Sequence, residues 1–134
     1  MANPLLKKLG LKAGCRALFM YPPAHLFELF GELPEGVVLV DHPEPDLGYI
    51  HGFFRDADEL EMAFPMLKAH LAPAGTLWIS WPKKTSKLAA DLDGNIVRET
   101  GLRHGLVDVK VCAIDADWSG LKFLYRTRDR PART

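Results

Sequence analysis

The chain has 134 residues, and 17 Lys and Arg residues balance 17 Asp and Glu residues, so the formal net charge is zero. This length suits one domain with a real hydrophobic core and is too short for two. A neutral chain has no overall attraction for nucleic acid or anionic membranes, and no apolar run approaches the roughly 18 residues of a spanning helix. The start of the chain lacks the pattern of a signal peptide, so we expect a cytoplasmic protein.

The cysteines and histidines show no metal-binding pattern. Cys15 and Cys112 are far apart, as expected for reduced thiols that pack as small hydrophobic side chains. No pair of Cys or His residues has the spacing of metal ligands, so we expect no metal site. We interpret all the histidines as ordinary structural or surface residues: His25, His42, His51, His70 and His104.

Short apolar runs between turn residues predict an alternation of helices and strands. Asn3, Pro4 and Gly10 delimit an N-terminal helix over residues 1–10, whose leucines would dock on the rest of the chain. The predicted strands, of which the first two read as buried, are 16–21, 37–40, 49–54, 76–81, 107–114 and 121–126. The predicted helices between them are 24–30, 56–71 and 93–105.

This alternation predicts a doubly wound α/β fold, with a mostly parallel sheet of about six strands and helices on both faces. The last two strands are joined by the turn-rich segment D-A-D-W-S-G and form a C-terminal antiparallel hairpin. Residues 11–127 would form the α/β core, preceded by the docking helix and followed by a frayed basic tail over 128–134. Residues 1–134 are then a single domain.

Several segments resemble those of known families. The order of elements resembles the class I methyltransferase-type Rossmann fold, whose fifth and sixth strands are matched by L-A-P-A-G-T-L-W-I and G-L-V-D-V-K-V. A resemblance to a small bacterial domain family of unknown function covers nearly the whole chain. It is carried by the segments L-G-L-K-A-G, L-P-E-G-V-V-L-V-D, S-W-P-K-K and L-V-D-V-K-V-C-A-I-D-A-D-W-S-G-L-K. Both resemblances imply a truncated, degenerate methyltransferase-like fold.

The loop after the first strand departs from the methyltransferase pattern. Methyltransferases have a glycine turn there, which lets the backbone approach the amino-acid part of S-adenosylmethionine, whereas this chain has Tyr21, Pro22 and Pro23. Prolines remove N–H donors and fix φ. The segment is either a rebuilt pocket for a smaller ligand or simply a rigid turn. Only seven residues separate Asp41 from Tyr49, so one βα unit of the complete methyltransferase fold is expected to be missing.

Asp41 follows the second strand, where the methyltransferase resemblance implies an acidic residue that binds the ribose hydroxyls of the cofactor. An acidic residue after a strand is also common in ordinary loops. Because the glycine turn is replaced, we expect no cofactor, and S-adenosylmethionine is the disfavoured possibility.

The carboxyl ends of the predicted strands bring aromatic and basic side chains to one edge, where ligands of open α/β sheets bind. Trp81 and Trp118 would stack on a flat ligand, and nearby lysines would hold a phosphate or carboxylate. Alternatively, the indoles belong to the core and the lysines are solvated. The candidate binding residues are Tyr21, Pro22, Pro23, Asp41, Ser80, Trp81, Lys83, Lys84, Trp118, Ser119 and Lys122.

These observations favour a non-catalytic domain that binds a partner protein or a small anionic ligand at this edge. We assign no catalytic residue, because no serine lies in a G-x-S-x-G elbow and Cys112 lies inside a strand. The alternative is a truncated S-adenosylmethionine-dependent methyltransferase with an altered cofactor loop. A homodimer is a further possibility, whereas nothing favours nucleic acid or a membrane as a partner.

Overall fold

The structure is a computed structural model that describes residues 4–127, which form one sheet with helices on both faces. The helices are α1 (Pro4–Leu9), α2 (Leu26–Phe30), α3 (Ala57–His70) and α4 (Gly94–Arg103). The strands are β1 (Arg16–Met20), β2 (Val38–Val40), β3 (Leu47–Phe53), β4 (Leu71–Pro82), β5 (Leu106–Ala113) and β6 (Trp118–Tyr125). The predicted tail over 128–134 lies outside the described residues.

The six strands lie in the order β2-β1-β3-β4-β6-β5. The first four are mutually parallel, and β6 pairs antiparallel with both β4 and β5. This confirms the predicted doubly wound α/β sheet with a C-terminal antiparallel hairpin. The topological switch point lies between β1 and β3, because the chain moves outward from β1 to β2 and then returns to the other side of β1.

Alternate residues of the strands face two separate hydrophobic clusters. The face that we call the α3/α4 face buries Ile50, Leu77 and Phe123 beneath α3 and α4. The opposite, α1/α2 face buries Tyr49 and Trp78 beneath α1 and α2. Consecutive residues of β3 therefore contribute to different clusters, which explains why the central strands are apolar almost throughout.

The helices form where the sequence supplies an apolar stripe and a stop. In α3 the buried residues Leu60, Phe64 and Leu67 follow the helical repeat. The short α1 ends at Gly10, whose φ of 74° is readily accessible to glycine, and the indole N–H of Trp78 donates to the Leu9 carbonyl at 2.7 Å. None of the helices within residues 4–127 is long and apolar enough to cross a membrane.

The second strand differs from its prediction as a buried strand. β2 is an edge strand, with Val38 49% exposed and Leu39 44% exposed. Among the described residues its only neighbour in the sheet is β1, so its two faces are less covered than those of a central strand. The apolar run V-V-L-V is typical of a buried strand. The prediction failed because local sequence does not reveal how many neighbours a strand has.

Candidate functional site

The carboxyl ends of β1, β2, β3 and β4 lie along one edge of the sheet, because these strands are parallel. We call this the carboxyl edge. The segments that emerge there begin at Tyr21 after β1, Asp41 after β2, Phe54 after β3 and Lys83 after β4. The β5–β6 loop, residues 114–117, joins the same edge, since the backbone N–H of Lys83 donates to the carbonyl of Asp117 at 2.8 Å.

One residue in the turn after β1 has a backbone conformation that glycine adopts readily. Tyr21 has a φ of 56°, in the left-handed region that non-glycine residues rarely adopt. Its ring, 63% exposed, meets the ring of Phe54 edge-on with 5.9 Å between centroids. Pro22 and Pro23 follow, and neither has a backbone N–H. Sparsely populated backbone conformations of this kind cluster at ligand sites.

Asp41 lies at the carboxyl end of the neighbouring strand, with a side chain that is 95% exposed. His42 Nδ1 lies 2.6 Å from Asp41 Oδ1. This hydrogen bond, together with the charge of His42, lowers the pKa of the Asp41 carboxyl. At neutral pH Asp41 therefore presents a negatively charged acceptor to solvent at the edge strand.

The strands around Tyr21 and Asp41 belong to a strongly acidic stretch of the chain. Between Ala17 and Phe54 there is no Lys or Arg. The acidic residues in that stretch are Glu28, Glu32, Glu35, Asp41, Glu44 and Asp46. The net charge of zero therefore conceals a negative segment. Of its acidic residues, Asp41 follows a strand at the carboxyl edge, whereas Glu35 and Asp46 precede β2 and β3 and Glu44 pairs with Arg16 at the start of β1.

The lysine segment after β4 is held against the β5–β6 loop. Lys83 Nζ donates to the Asp115 carbonyl at 2.6 Å, and Ser86 Oγ donates to Asp117 Oδ1 at 2.8 Å. Lys83 therefore links the segment after β4 to the β5–β6 loop. Lys84 is exposed. Among the lysines that we predicted as anion ligands, Lys84 projects from this segment without a hydrogen bond or ion pair to the described residues.

The two tryptophans of the predicted site lie on opposite faces of the sheet. Trp81 is buried in the α3/α4 cluster and Trp118 in the α1/α2 cluster. They cannot stack on the same ligand, because the sheet separates them, so the predicted stacking pair is wrong. Within residues 4–127 the indole N–H of Trp118 is buried without a hydrogen-bond partner. Ser119 is half-buried and pairs in register with Trp81.

Lys122 does not reach the carboxyl edge, contrary to the prediction. It pairs in register with Trp78 in the middle of β4 and with Lys110 of β5. The hairpin turns earlier than the sequence indicated, since β6 begins at Trp118. Four residues of strand therefore separate Lys122 from the edge, a distance of roughly 13 Å.

Sequence reasoning missed a histidine–carboxylate pair at the carboxyl edge. His25 Nε2 lies 2.5 Å from Asp115 Oδ2, although the two residues are 90 positions apart. The backbone N–H groups of Asp117 and Trp118 also donate to Asp115 Oδ1, each at 2.8 Å. Burial of Asp115 raises the pKa of its carboxyl, but these hydrogen bonds outweigh the burial and the pKa is lowered.

The geometry of this pair determines which ring nitrogen of His25 can accept a proton. Because the ionised Asp115 only accepts hydrogen bonds, Nε2 of His25 carries the hydrogen. In the neutral ring Nδ1 then has a free lone pair that can accept a proton. His25 is half exposed at the start of α2. Only the position of His25 just after a strand end was visible in the sequence, and nothing there pointed to Asp115.

A second group of polar side chains lies beneath the edge and is fully buried. His51 Nδ1 is 3.0 Å from the Tyr49 hydroxyl, and His51 Nε2 is 2.7 Å from Ser80 Oγ. Burial lowers the pKa of His51 from 6.5 to about 3, so the ring is neutral at physiological pH. Ser80, a predicted binding residue, is therefore a buried partner of His51. Within residues 4–127 no group of His, Cys, Asp or Glu side chains could hold a metal ion.

Comparisons with known proteins identify the fold. No protein-family model matches the chain, and no curated protein matches it significantly. A solved S-adenosylmethionine-dependent methyltransferase from Aquifex aeolicus is 18% identical, with a TM-score of 0.60 over 89% of this chain and 86% of that one. A TehB-like S-adenosylmethionine-dependent methyltransferase from Corynebacterium glutamicum is 14% identical, with a TM-score of 0.57 over 94% and 89%.

A third match is the magnesium protoporphyrin IX methyltransferase of Synechocystis, solved with bound S-adenosylhomocysteine. It is 9% identical, with a TM-score of 0.59 over 91% of this chain and 78% of that one. Identities this low establish a methyltransferase-like Rossmann fold. The expectation of no cofactor, which rested on the proline loop and the missing βα unit, is contradicted because the matched structures are S-adenosylmethionine-dependent methyltransferases, one of them with S-adenosylhomocysteine bound.

Proposed function

We propose that the chain binds S-adenosylmethionine at the carboxyl ends of β1 and β2 and acts as a methyltransferase, the alternative that the sequence left open. The observation that carries this proposal is the pairing of the left-handed Tyr21 turn with the ionised Asp41 on the adjacent strand. The methyltransferases of similar structure support it and lend no support to a non-catalytic role.

Each feature of this site suits one part of the cofactor. The exposed Asp41 carboxylate can accept hydrogen bonds from two ribose hydroxyls, as acidic residues do after the second strand of nucleotide-binding folds. The negative charge of Asp41 also suits a ligand with a sulfonium and an ammonium group against one carboxylate. Pro22 and Pro23 offer no N–H to that carboxylate, so its binding must depend on other groups at the edge.

The His25–Asp115 pair provides a proton acceptor at the same edge. When bound, S-adenosylmethionine would supply an electrophilic methyl group by cleavage of its bond to sulfur. An acceptor that attacks through an O–H or N–H group must lose a proton as the new bond to the methyl carbon forms. His25 Nδ1 would take that proton, and the Asp115 carboxylate would stabilise the resulting imidazolium.

The resemblance to a small bacterial domain family enters the same proposal. The segments that carry it include L-P-E-G-V-V-L-V-D, which ends at Asp41, and the segment that contains Asp115. Asp41 and Asp115 therefore lie inside the matching motifs, whereas Tyr21 and His25 lie outside them.

Calorimetric titration with S-adenosylhomocysteine tests the cofactor site. We expect the wild type to bind, and Asp41→Asn to bind about tenfold to a hundredfold more weakly, because hydrogen bonds to a charged acceptor contribute roughly 1.5–3 kcal/mol. Glu32→Gln is the matched control, since Glu32 is an exposed acidic residue in the same stretch, and should bind within about twofold of the wild type. No binding by the wild type at millimolar ligand would refute the proposal.

The proton acceptor is tested separately with methyl-labelled cofactor and an extract of host cells. We expect label to appear on an acceptor with the wild type, and His25→Gln to lower the rate about a hundredfold or more while S-adenosylhomocysteine still binds. An unchanged rate with His25→Gln would remove His25 from the mechanism and leave the cofactor site standing.

A further inference from the structure

Three lysines from different parts of the chain converge on the α1/α2 face, away from the carboxyl edge. Lys110 of β5 and Lys122 of β6 lie directly opposite each other in the antiparallel ladder. Lys12, in the segment between α1 and β1, is close enough for its charge to act on Lys122. A Cβ placed on Gly10 would lie 3.9 Å from Lys122 Nζ, so this ammonium group lies beside the end of α1.

This arrangement is unfavourable for the isolated protein. Like charges directly opposite each other on neighbouring strands destabilise a sheet. Lys122 is also half-buried, and burial together with the charges of Lys110 and Lys12 lowers the pKa of its ammonium group. Within residues 4–127 no carboxylate forms an ion pair with any of the three lysines.

We propose that Lys12, Lys110 and Lys122 form a binding site for a phosphate-bearing anion that carries at least two negative charges. The compact ammonium groups of lysine act as point charges toward phosphate oxygens. A single carboxylate would leave most of the cluster uncompensated, whereas a multiply charged anion relieves the repulsion among all three. The last turn of α1 contributes two more exposed lysines, Lys7 and Lys8, to the same end of the face.

The site is independent of the proposed cofactor site. Lys122 lies about four strand residues from the carboxyl edge, and S-adenosylmethionine binding at Tyr21 and Asp41 would involve none of the three lysines. A phosphate-bearing ligand here would be either a small molecule with a phosphate or pyrophosphate group or the backbone of a nucleic acid. These two sources share the same chemistry and differ in how many phosphates bind at once.

Titration of the full chain with inorganic pyrophosphate at low ionic strength tests the site. We expect the wild type to bind, and both Lys122→Met and Lys110→Met to bind at least about tenfold more weakly, since each removes one of three charges that face the anion. Lys87→Met removes the same charge from an exposed loop position and should bind within about twofold of the wild type. Equal affinity in all four proteins, or no binding by the wild type, would overturn the proposal.

The melting temperature without ligand gives a second readout. Lys122→Met keeps most of the length of the side chain and removes a half-buried charge, so we expect it to melt higher than the wild type in the absence of pyrophosphate. If Lys122 had a purely structural role, Lys122→Met would melt lower than the wild type. A lower melting temperature combined with unchanged pyrophosphate binding would contradict the inference. The exposed Lys110→Met carries little risk of misfolding and keeps the binding test valid in either case.

The source of the phosphate is decided by competition with a short single-stranded RNA. If RNA binds much more tightly than pyrophosphate and loses affinity in Lys122→Met, the site serves a nucleic-acid backbone. If RNA is no better than pyrophosphate, the ligand is a small phosphate compound. RNA binding that Lys122→Met and Lys110→Met leave unchanged would place nucleic acid elsewhere on the chain and count against this site.

Discussion

The two faces of the sheet bury their polar groups in different ways. On the α3/α4 face, Thr100 and Tyr125 each donate to a single backbone carbonyl, of Ile96 and Lys68 respectively, and the rest of the cluster is apolar. On the α1/α2 face a titratable side chain, His51, joins other side chains in a network at the centre of the sheet. Within residues 4–127 the buried cluster of the α3/α4 face contains no histidine, whereas the α1/α2 face buries His51, so we expect the buried groups of the two faces to respond differently to acid.

The difference between the faces follows from alternation along single strands. Ile50 and His51 are neighbours in β3, yet they lie in different clusters because consecutive side chains point to opposite faces. The ring of His51 stacks on Phe53 with 4.3 Å between centroids. A neutral imidazole satisfies both of its hydrogen-bond partners, one nitrogen donating and the other accepting. Protonation would leave a charge in an apolar environment.

The largest expected effect is acid destabilisation through His51. Its pKa is lowered from 6.5 to about 3 in the folded chain, so the unfolded chain takes up a proton below about pH 6.5 that the folded chain takes up only near pH 3. Stability therefore falls as the pH falls through this window, by about 4–5 kcal/mol from this group. Urea unfolding at a series of pH values measures the loss.

The control for this prediction is His51→Gln, which keeps one donor and one acceptor and does not titrate. Its unfolding free energy should be lower than that of the wild type at pH 7 and should decline much less between pH 6.5 and pH 4. Parallel pH curves for the two proteins would mean that His51 is not the source of the acid sensitivity.

A smaller effect is expected from the packing of the α3/α4 face. Leu60 is fully buried on α3, so Leu60→Ala should lower the free energy of unfolding by about 3 kcal/mol through lost burial and a residual cavity. Met62→Ala, at an 84% exposed position of the same helix, should change it by less than about 0.5 kcal/mol. Chemical denaturation of both variants tests the contrast, and similar losses would show that α3 packs through a different face.

The smallest expected effect concerns the edge strand β2, where substitutions on either face should lower the stability by similar, small amounts. Val38 lies on the α3/α4 side of β2 and Leu39 on the α1/α2 side, and both are nearly half exposed. We expect Val38→Ala and Leu39→Ala each to lower the free energy of unfolding by about 0.5–1 kcal/mol. A loss of about 3 kcal/mol at either position would indicate that β2 is covered in solution, for example by a second copy of the chain.

The fold could be predicted from local patterns because strands and helices alternate with clear turn residues between them. The limits of α3 and of β5 were predicted to within one residue at each end. β4 was predicted to begin at Thr76, but it begins at Leu71. The residues A-P-A-G were predicted as a turn. In the structure they belong to β4, and Gly75 lies so close to the Leu47 carbonyl that a Cβ on this residue would come within 2.9 Å of it.

The candidate site was predicted less well, because the strand ends were placed correctly but the face of the sheet on which some side chains lie was not. Tyr21 and Asp41 lie at the carboxyl edge as expected, because the end of a parallel strand determines the edge on which the next residue lies. Trp81 and Trp118 were assigned to one pocket, but whether a residue near a strand end faces one side of the sheet or the other depends on register. A shift of a single residue exchanges the two faces.

The sequence by itself determined the order of elements, the mostly parallel sheet, the proline turn after β1 and the acidic stretch without Lys or Arg. All of these depend on residues close together in the chain. Only the tertiary structure decided that His25 meets Asp115 and that Tyr49, His51 and Ser80 share one buried network. It also decided that Lys110 and Lys122 lie opposite each other, with Lys12 close enough for its charge to act on Lys122. Each of these groups joins residues from separate elements, and the energy of such contacts depends on distances that only the packed sheet establishes.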